Sequence, residues 1–180
     1  MKKLVLSFVF IIGLSLQAQI YSVSSGTSRF FSSTILEDIE ATSQEVEGLM
    51  DLENKEFYFE VRIKSFEFEK ALMQEHFNEN YMESDKYPIG NFSGKFVEDF
   101  DLTADSTYRS TLIGVLDIHG EKMDRVIDLI IEVVDGVITL HSDFRVELKD
   151  HKIKIPRIVF KNIAEVIDVS VNLVMEPYKE

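Results

Sequence analysis

From Phe57 to Lys64 apolar and polar residues change places at every step. Phe57, Phe59, Val61 and Ile63 fall on one side, and Tyr58, Glu60, Arg62 and Lys64 on the other. Side chains alternate across a strand, so this pattern predicts a strand with one dry face and one wet face. Half-buried strands belong to antiparallel sheets, because strands of parallel sheets are covered on both faces and read as continuous apolar runs. The constraint removes βαβ folds and leaves a barrel or a sandwich.

The same period recurs along the chain. Ile20 to Ser33 reads as one or two strands anchored by Phe30 and Phe31, with Ser25-Gly26 as the break. Ile35 to Leu52 alternates loosely, with Ile39, Ala41, Ser43, Val46, Gly48 and Met50 inward and a bulge between its halves. Phe92, Gly94 and Phe96 continue the pattern, followed by a polar hairpin loop from Asp101 to Ser106. Tyr108 to His119 is the next strand, closed by Gly120. Met123 to Val134 returns with Ile127, Leu129, Ile131 and Val133 inward; Val126 and Ile130 are apolar on the outer face. Asp135-Gly136 between two alternating runs is a two-residue hairpin signal. Ile138, Leu140, Phe144, Val146 and Leu148 then face inward. Pro156 confines Ile153–Phe160 to an edge piece, a turn or a short helix. Ile167, Val169, Val171, Leu173 and Met175 line the last strand. About eight long strands with short polar connections predict an all-β up-and-down barrel or sandwich.

One segment breaks the period. From about Glu69 to Met82, Met73, Phe77 and Tyr81 recur every fourth residue, with Leu72 and His76 beside them. This is the apolar stripe of a short helix. Glu67 and Glu69 suit its positive end, and Pro88 forbids helical geometry at Tyr87. A helix that interrupts strands plugs or flanks the sheet.

The N-terminus reads as a secretory leader. Lys2-Lys3 precedes an apolar run from Leu4 to Leu16, and Ala18 offers a small residue at the cleavage point. The run is shorter than the roughly 20 residues needed to span a bilayer. The expectation is a signal peptide over 1–18 and one exported domain over 19–180, in the periplasm or secreted, without stable membrane insertion once the leader is removed. The formal net charge of −13 repels nucleic acid and anionic surfaces. The chain has no cysteine, which excludes disulfides, thiol nucleophiles and thiolate metal sites.

Catalytic signals are sparse. His76-x-x-Glu79 lies one helical turn apart and Asp117-x-His119 shares one strand face, so each is a possible acid–base or metal pair. Such spacings arise by chance in a chain with 32 acids. The simpler reading is a hydrogen-bonded His76 at the helix–barrel junction and a turn contact for His119. His141 lies on an outward face and His151 in a charged loop, neither at a metal-ligand spacing. No phosphate loop, Gly-x-Ser-x-Gly or basic aromatic stripe is present. No enzyme activity, cofactor or metal is expected.

Leu72-Met73, the run from His76 to Pro88 and Phe92-Ser93-Gly94 together resemble the signature of the YceI family. Gly114-Val115-Leu116-Asp117-Ile118-His119-Gly120 is similar to its G-x-L-x-I-x-G strand end, and Phe144-Arg145-Val146 and Ile167–Val171 also fit. The first strand departs from the family, with Tyr21-Ser22-Val23-Ser24 in place of Trp-x-x-Asp. The resemblance implies a lipocalin-like antiparallel barrel that holds a polyisoprenoid or similar long amphiphile, and it favours barrel over sandwich. The expected ligand wall is Phe57, Phe59, Val61 and Ile63 on one strand and Phe92 and Phe96 on the next. Leu116, Leu129, Ile131, Leu140, Phe144, Val169 and Val171 complete it. Ser32, Ser43, Gly48, Gly94 and Gly114 fall at inward positions and take little volume, which favours a hollow interior. Two other readings stand beside a lipid carrier: a filled barrel whose acidic surface docks a membrane redox complex, and an enzyme on a small apolar substrate. A monomer and a dimer are both compatible with the sequence.

Overall fold

A computed structural model describes residues 20–156 and 161–179. The expected leader over 1–18 and part of the Ile153–Phe160 segment lie outside the described residues. The strands are β1 (Ile20–Ser33), β2 (Asp38–Ser43), β3 (Val46–Asp51), β4 (Glu56–Arg62), β5 (Glu67–Phe68), β6 (Ile89–Phe96), β7 (Ser106–Ile118), β8 (Glu121–Val134), β9 (Val137–Glu147) and β10 (Val166–Pro177). The one α-helix among the described residues, α1 (Ala71–His76), runs into a wider π-helical turn over Phe77–Tyr81.

Neighbouring strands pair antiparallel in the order β10, β9, β8, β7, β6, β4, β3, β1. The circle closes where β1 meets β10 from Tyr21–Pro177 to Phe31–Asp168. β2 and β3 act as one bent stave: β3 pairs with the start of β1 and β2 with its end. The result is a closed eight-stave barrel. The two-residue β5 hangs on β2 at one end, beside α1.

Local sequence explains the corners. Asp135 and Gly136 both take positive φ, 51° and 77°, as a tight hairpin turn between right-twisted strands requires. His119 and Gly120 do the same between β7 and β8, at 57° and 73°. β1 is a single strand rather than two, because the irregularity expected near Ser25-Gly26 is absorbed as a bulge between Val23 and Ser25. The Asp101–Ser106 loop is not simply polar. Leu102 tucks in as a buried plug, and Phe100 packs between Phe96 and Tyr108 at 5.1 and 5.4 Å. Val126 on the outer face is uncovered, 67% exposed.

Three inward glycines serve close packing rather than open space. Gly94 and Gly114 are cross-strand partners. A Cβ on Gly94 would sit 2.2 Å from the Ile113 carbonyl oxygen and 2.5 Å from the Gly114 Cα. Gly48 lies under the Phe59 ring, 2.4 Å from where its Cβ would stand. Gly90, also inward, is different: a Cβ there meets nothing nearer than 3.4 Å.

This contrast is testable by urea denaturation. Gly94→Ala should lose about 2–3 kcal/mol, since the backbones of β6 and β7 would have to part. Gly90→Ala should stay within about 0.5 kcal/mol of the parent. Equal stability of the two variants would contradict the close approach of the strands.

Candidate ligand cavity

The barrel interior is divided. One half is filled by Met50, Phe57, Phe96, Leu112, Leu129, Ile131, Val133, Ile138, Leu140, Leu173 and Met175, all buried in one cluster. Ile131 is fully inaccessible and Met50 1% exposed. Burying each such side chain stabilises the fold by about 1.5–3 kcal/mol. The other half holds a cavity of 340 Å³.

Period-two alternation on every stave except β8 supplies the cavity wall. β4 contributes Phe59 and Val61, β6 Gly90 and Phe92, and β7 Leu116 and Ile118. Phe144 and Val146 come from β9, Ile167 and Val169 from β10, and Phe30 and Ser32 from β1. Of the expected ligand wall, Phe59, Val61, Ile63, Phe92, Leu116, Phe144 and Val169 therefore meet in one space. Phe57, Phe96, Leu129, Ile131 and Leu140 do not, because they belong to the filled half, and Val171 packs against that half.

The cover comes from the segment that breaks the strand period. Met73, His76, Phe77 and Tyr81 face the cavity, as their four-residue spacing predicts. Leu72 does not share that face; it is exposed at the rim. Phe66, just before the short β5, and Phe68 within it join Phe30 and Phe77 in a cluster. Phe30 stacks on Phe77 at 5.3 Å and touches Phe66 and Phe68 at 5.3 and 5.6 Å. Phe68 meets Phe77 at 5.0 Å. Each such pair adds about 0.5–1.5 kcal/mol beyond burial. None of these four rings was in the expected wall. Phe66 and Phe68 fall out of phase with the alternation that ends at Ile63, because the single turn Ile63–Ser65 intervenes; their own two-residue spacing was the available signal.

Polar groups sit at the rim. Lys70 donates to Glu37 at 3.0 Å and the Asn162 amide donates to its other oxygen at 3.1 Å. The Lys70 hydrogen bond holds the Glu37 carboxyl below the usual carboxylate range. Lys70 immediately precedes α1, so this contact ties the cover to the β1–β2 loop. Inside, the Ser32 hydroxyl accepts from the Ala164 amide at 2.9 Å, and Ser43 bonds Ser65 at 2.6 Å.

A second tether lies behind the cover. Glu83 accepts from His119 Nε2 at 3.0 Å, and His119 Nδ1 lies 3.1 Å from the His151 carbonyl oxygen. The Tyr87 ring packs 4.4 Å from the His119 ring. His151 is fully buried rather than lying in a solvated loop, and its Nδ1 faces the carbonyls of Ile118 and Glu121. His119 thus makes the turn contact its position suggested, but its partner is Glu83 and not Asp117. Left-handed backbone at His119 breaks the alternation that would align it with Asp117. His76 faces the cavity, while Glu79 does not line it; the widened turn after His76 removes their one-turn spacing. Among the described residues no group of three or more His, Asp or Glu side chains is placed to hold a metal ion. No helix there is long and apolar enough to cross a membrane.

The sequence pattern of the YceI-like domain matches residues 19–175. No curated protein matches significantly. A polyisoprenoid binding domain from Saccharophagus degradans is similar in structure, with TM-score 0.75 and 13% identity over 88% of this chain and 98% of that one. BcnA of Burkholderia cenocepacia gives 0.69 and 11%, over 83% and 95%. The YCEI protein of Campylobacter jejuni gives 0.52 and 18%, over the whole of both chains. At these identities the likeness establishes the fold alone.

The rim contact yields a pH prediction. Because the Glu37 pKa is lowered in the folded state, the stability it lends is present above its ordinary value and lost as pH falls through the lowered one. Below about pH 4, amides of Ala71–Tyr81 should exchange with solvent faster relative to those of Ile127–Val133. An unchanged ratio would show that Glu37 does not hold the cover.

Proposed function

The chain belongs to the YceI-like domain family, and from that premise we propose that it is an exported lipid-binding protein. It takes the apolar chain of an isoprenoid-like amphiphile into the hollow half of the barrel and shields it from water, breaking no bond. The observation that carries this reading is the cavity itself. Its wall is mainly aromatic and aliphatic on every stave except β8, and the charged Glu37 and the Asn162 amide that bonds it stand at the rim. That is the arrangement a long amphiphile needs, with apolar burial for the chain at about 25 cal/mol per Å² and water at the mouth for the head. A structurally similar domain is described as polyisoprenoid binding, which supports the same ligand class. An exported location rests on the leader-like residues 1–18.

The geometry gives less support to an acid–base site. The two histidine–carboxylate pairs suggested by spacing do not form, and His119 is engaged in holding the cover to the β7–β8 turn.

Native mass spectrometry of protein purified from its own host without detergent tests the proposal. A stoichiometric long-chain species should accompany the parent, and Phe59→Asp or Phe144→Asp should lose it by at least tenfold while remaining folded. Val126→Ser, on the exposed outer face, should retain it. A bare mass for the parent, or retention by both aspartate variants, would overturn the proposal.

A further inference from the structure

The boundary between the filled and hollow halves is sharp enough to set a ligand length. On β4, Phe59 lines the cavity while Phe57, two residues earlier, belongs to the filled half. On β10 the same step separates Val169 from Val171. On β9, Phe144 lines the space while Leu140 is filled core. Three staves around the barrel thus place the floor at one level, and the rings that form it are backed directly. Phe57 packs 5.8 Å from Phe59 and 4.9 Å from Phe92. Below them the interior is closed by residues such as Met50 and Leu140, 1% and 2% exposed, and at the far end by Leu102. The cavity is a blind half-barrel and not a tunnel.

Volume then limits what it encloses. A dry apolar cavity of about 150 Å³ accepts a benzene ring. On that scale, the 340 Å³ here encloses on the order of 10 to 15 carbons. A chain of many isoprene units would leave most of its length in water, where it gains nothing from burial.

The rim bears on the head. Lys70 at the rim is already bonded to Glu37, whose other oxygen takes the Asn162 amide. Among the described residues that line the cavity there is no lysine or arginine, and the whole chain carries a net charge of −13.

Resting on the lipid-binding reading, we infer that the cavity encloses only on the order of 10 to 15 carbons of an uncharged amphiphile and gains no affinity from chain beyond that length. The chemical class is a prenyl or fatty alcohol, or a comparable neutral-headed lipid.

A homologous series tests this with the delipidated full chain. Dissociation constants would be measured by calorimetry and native mass spectrometry for alcohols of two, three, four and nine isoprene units: geraniol, farnesol, geranylgeraniol and solanesol. Affinity should rise about tenfold or more from two to three units, as added carbons are buried, and change by less than about threefold from three to nine. Farnesyl diphosphate should bind more weakly than farnesol. Gly90→Leu, which projects a side chain into the space that Gly90 leaves open, should move the plateau down to geraniol. A steep rise continuing to solanesol would overturn the length limit while leaving lipid binding intact. Tighter binding of the diphosphate would overturn the uncharged head. Binding of none of the alcohols, in a folded parent, would remove the lipid-binding reading itself. The parent series is decisive even if Gly90→Leu does not fold.

Discussion

The pairing of β1 with β10 is the interaction on which everything else depends. It joins Tyr21 to Pro177 and Phe31 to Asp168, the two ends of the described chain. Without it both strands would be open edges, with rows of unpaired amides and carbonyls. With it, the inward face of every stave shares one interior, and a single interior can be divided. β1 is hydrogen-bonded along both sides, to β10 on one and to β2 and β3 on the other. That double engagement fixes its register. A slip by one residue would turn Phe30 and Ser32 outward and Arg29 and Phe31 inward.

The division of that interior follows from side-chain size at matching levels. Toward one end, Leu, Ile, Val and Met on β8, β9 and β10 meet Phe57 and Phe96 and leave no room. Toward the other, β8 does not reach the space: neither Arg125 nor Met123, opposite Gly114 and Leu116, lines it. There the wall continues instead with the 66–82 segment. The cover closes this end without filling it, because its phenylalanines pack mainly on one another and on Phe30. A cluster that satisfies itself leaves the space beneath it unoccupied by protein.

Much of this architecture was legible in the sequence because it rests on two periods. Alternation at every second residue gave the staves and the inward faces of β4, β8, β9 and β10, and spacing of four gave Met73, Phe77 and Tyr81. The hairpin at Asp135-Gly136 was legible because few residues accept two successive positive φ angles. What period cannot report is depth. Phe57 and Phe59 carry the same signal, yet one is core and the other cavity wall, and only the register between strands separates them. Nor does composition distinguish a small residue that opens space from one that lets backbones approach. Gly94 and Gly114 are glycines because the strands touch; Gly90 is the one that leaves room. His151 was misread for a related reason. Its neighbours Lys149, Asp150 and Lys152 suggest a solvated loop, whereas the left-handed residue at Lys152 folds the turn back and buries the ring.

The hollow half also bears on how the fold holds together. Side chains that line 340 Å³ of space forgo some of the dispersion contacts of a close-packed core, which costs stability. The barrel staves cannot shrink to recover it, since each is hydrogen-bonded on both sides around a closed circle. The cover is the compliant element. It consists of one short helix and a π-helical turn, secured by two tethers, Glu37 with Lys70 at the rim and Glu83 with His119 behind it. A rigid circle under a lightly tethered cover concentrates any relaxation in the 66–82 segment. A chain that filled the space would remove that cost and press against Phe77 and Met73 from below. Filling the cavity and ordering the cover are therefore one equilibrium, seen from its two ends.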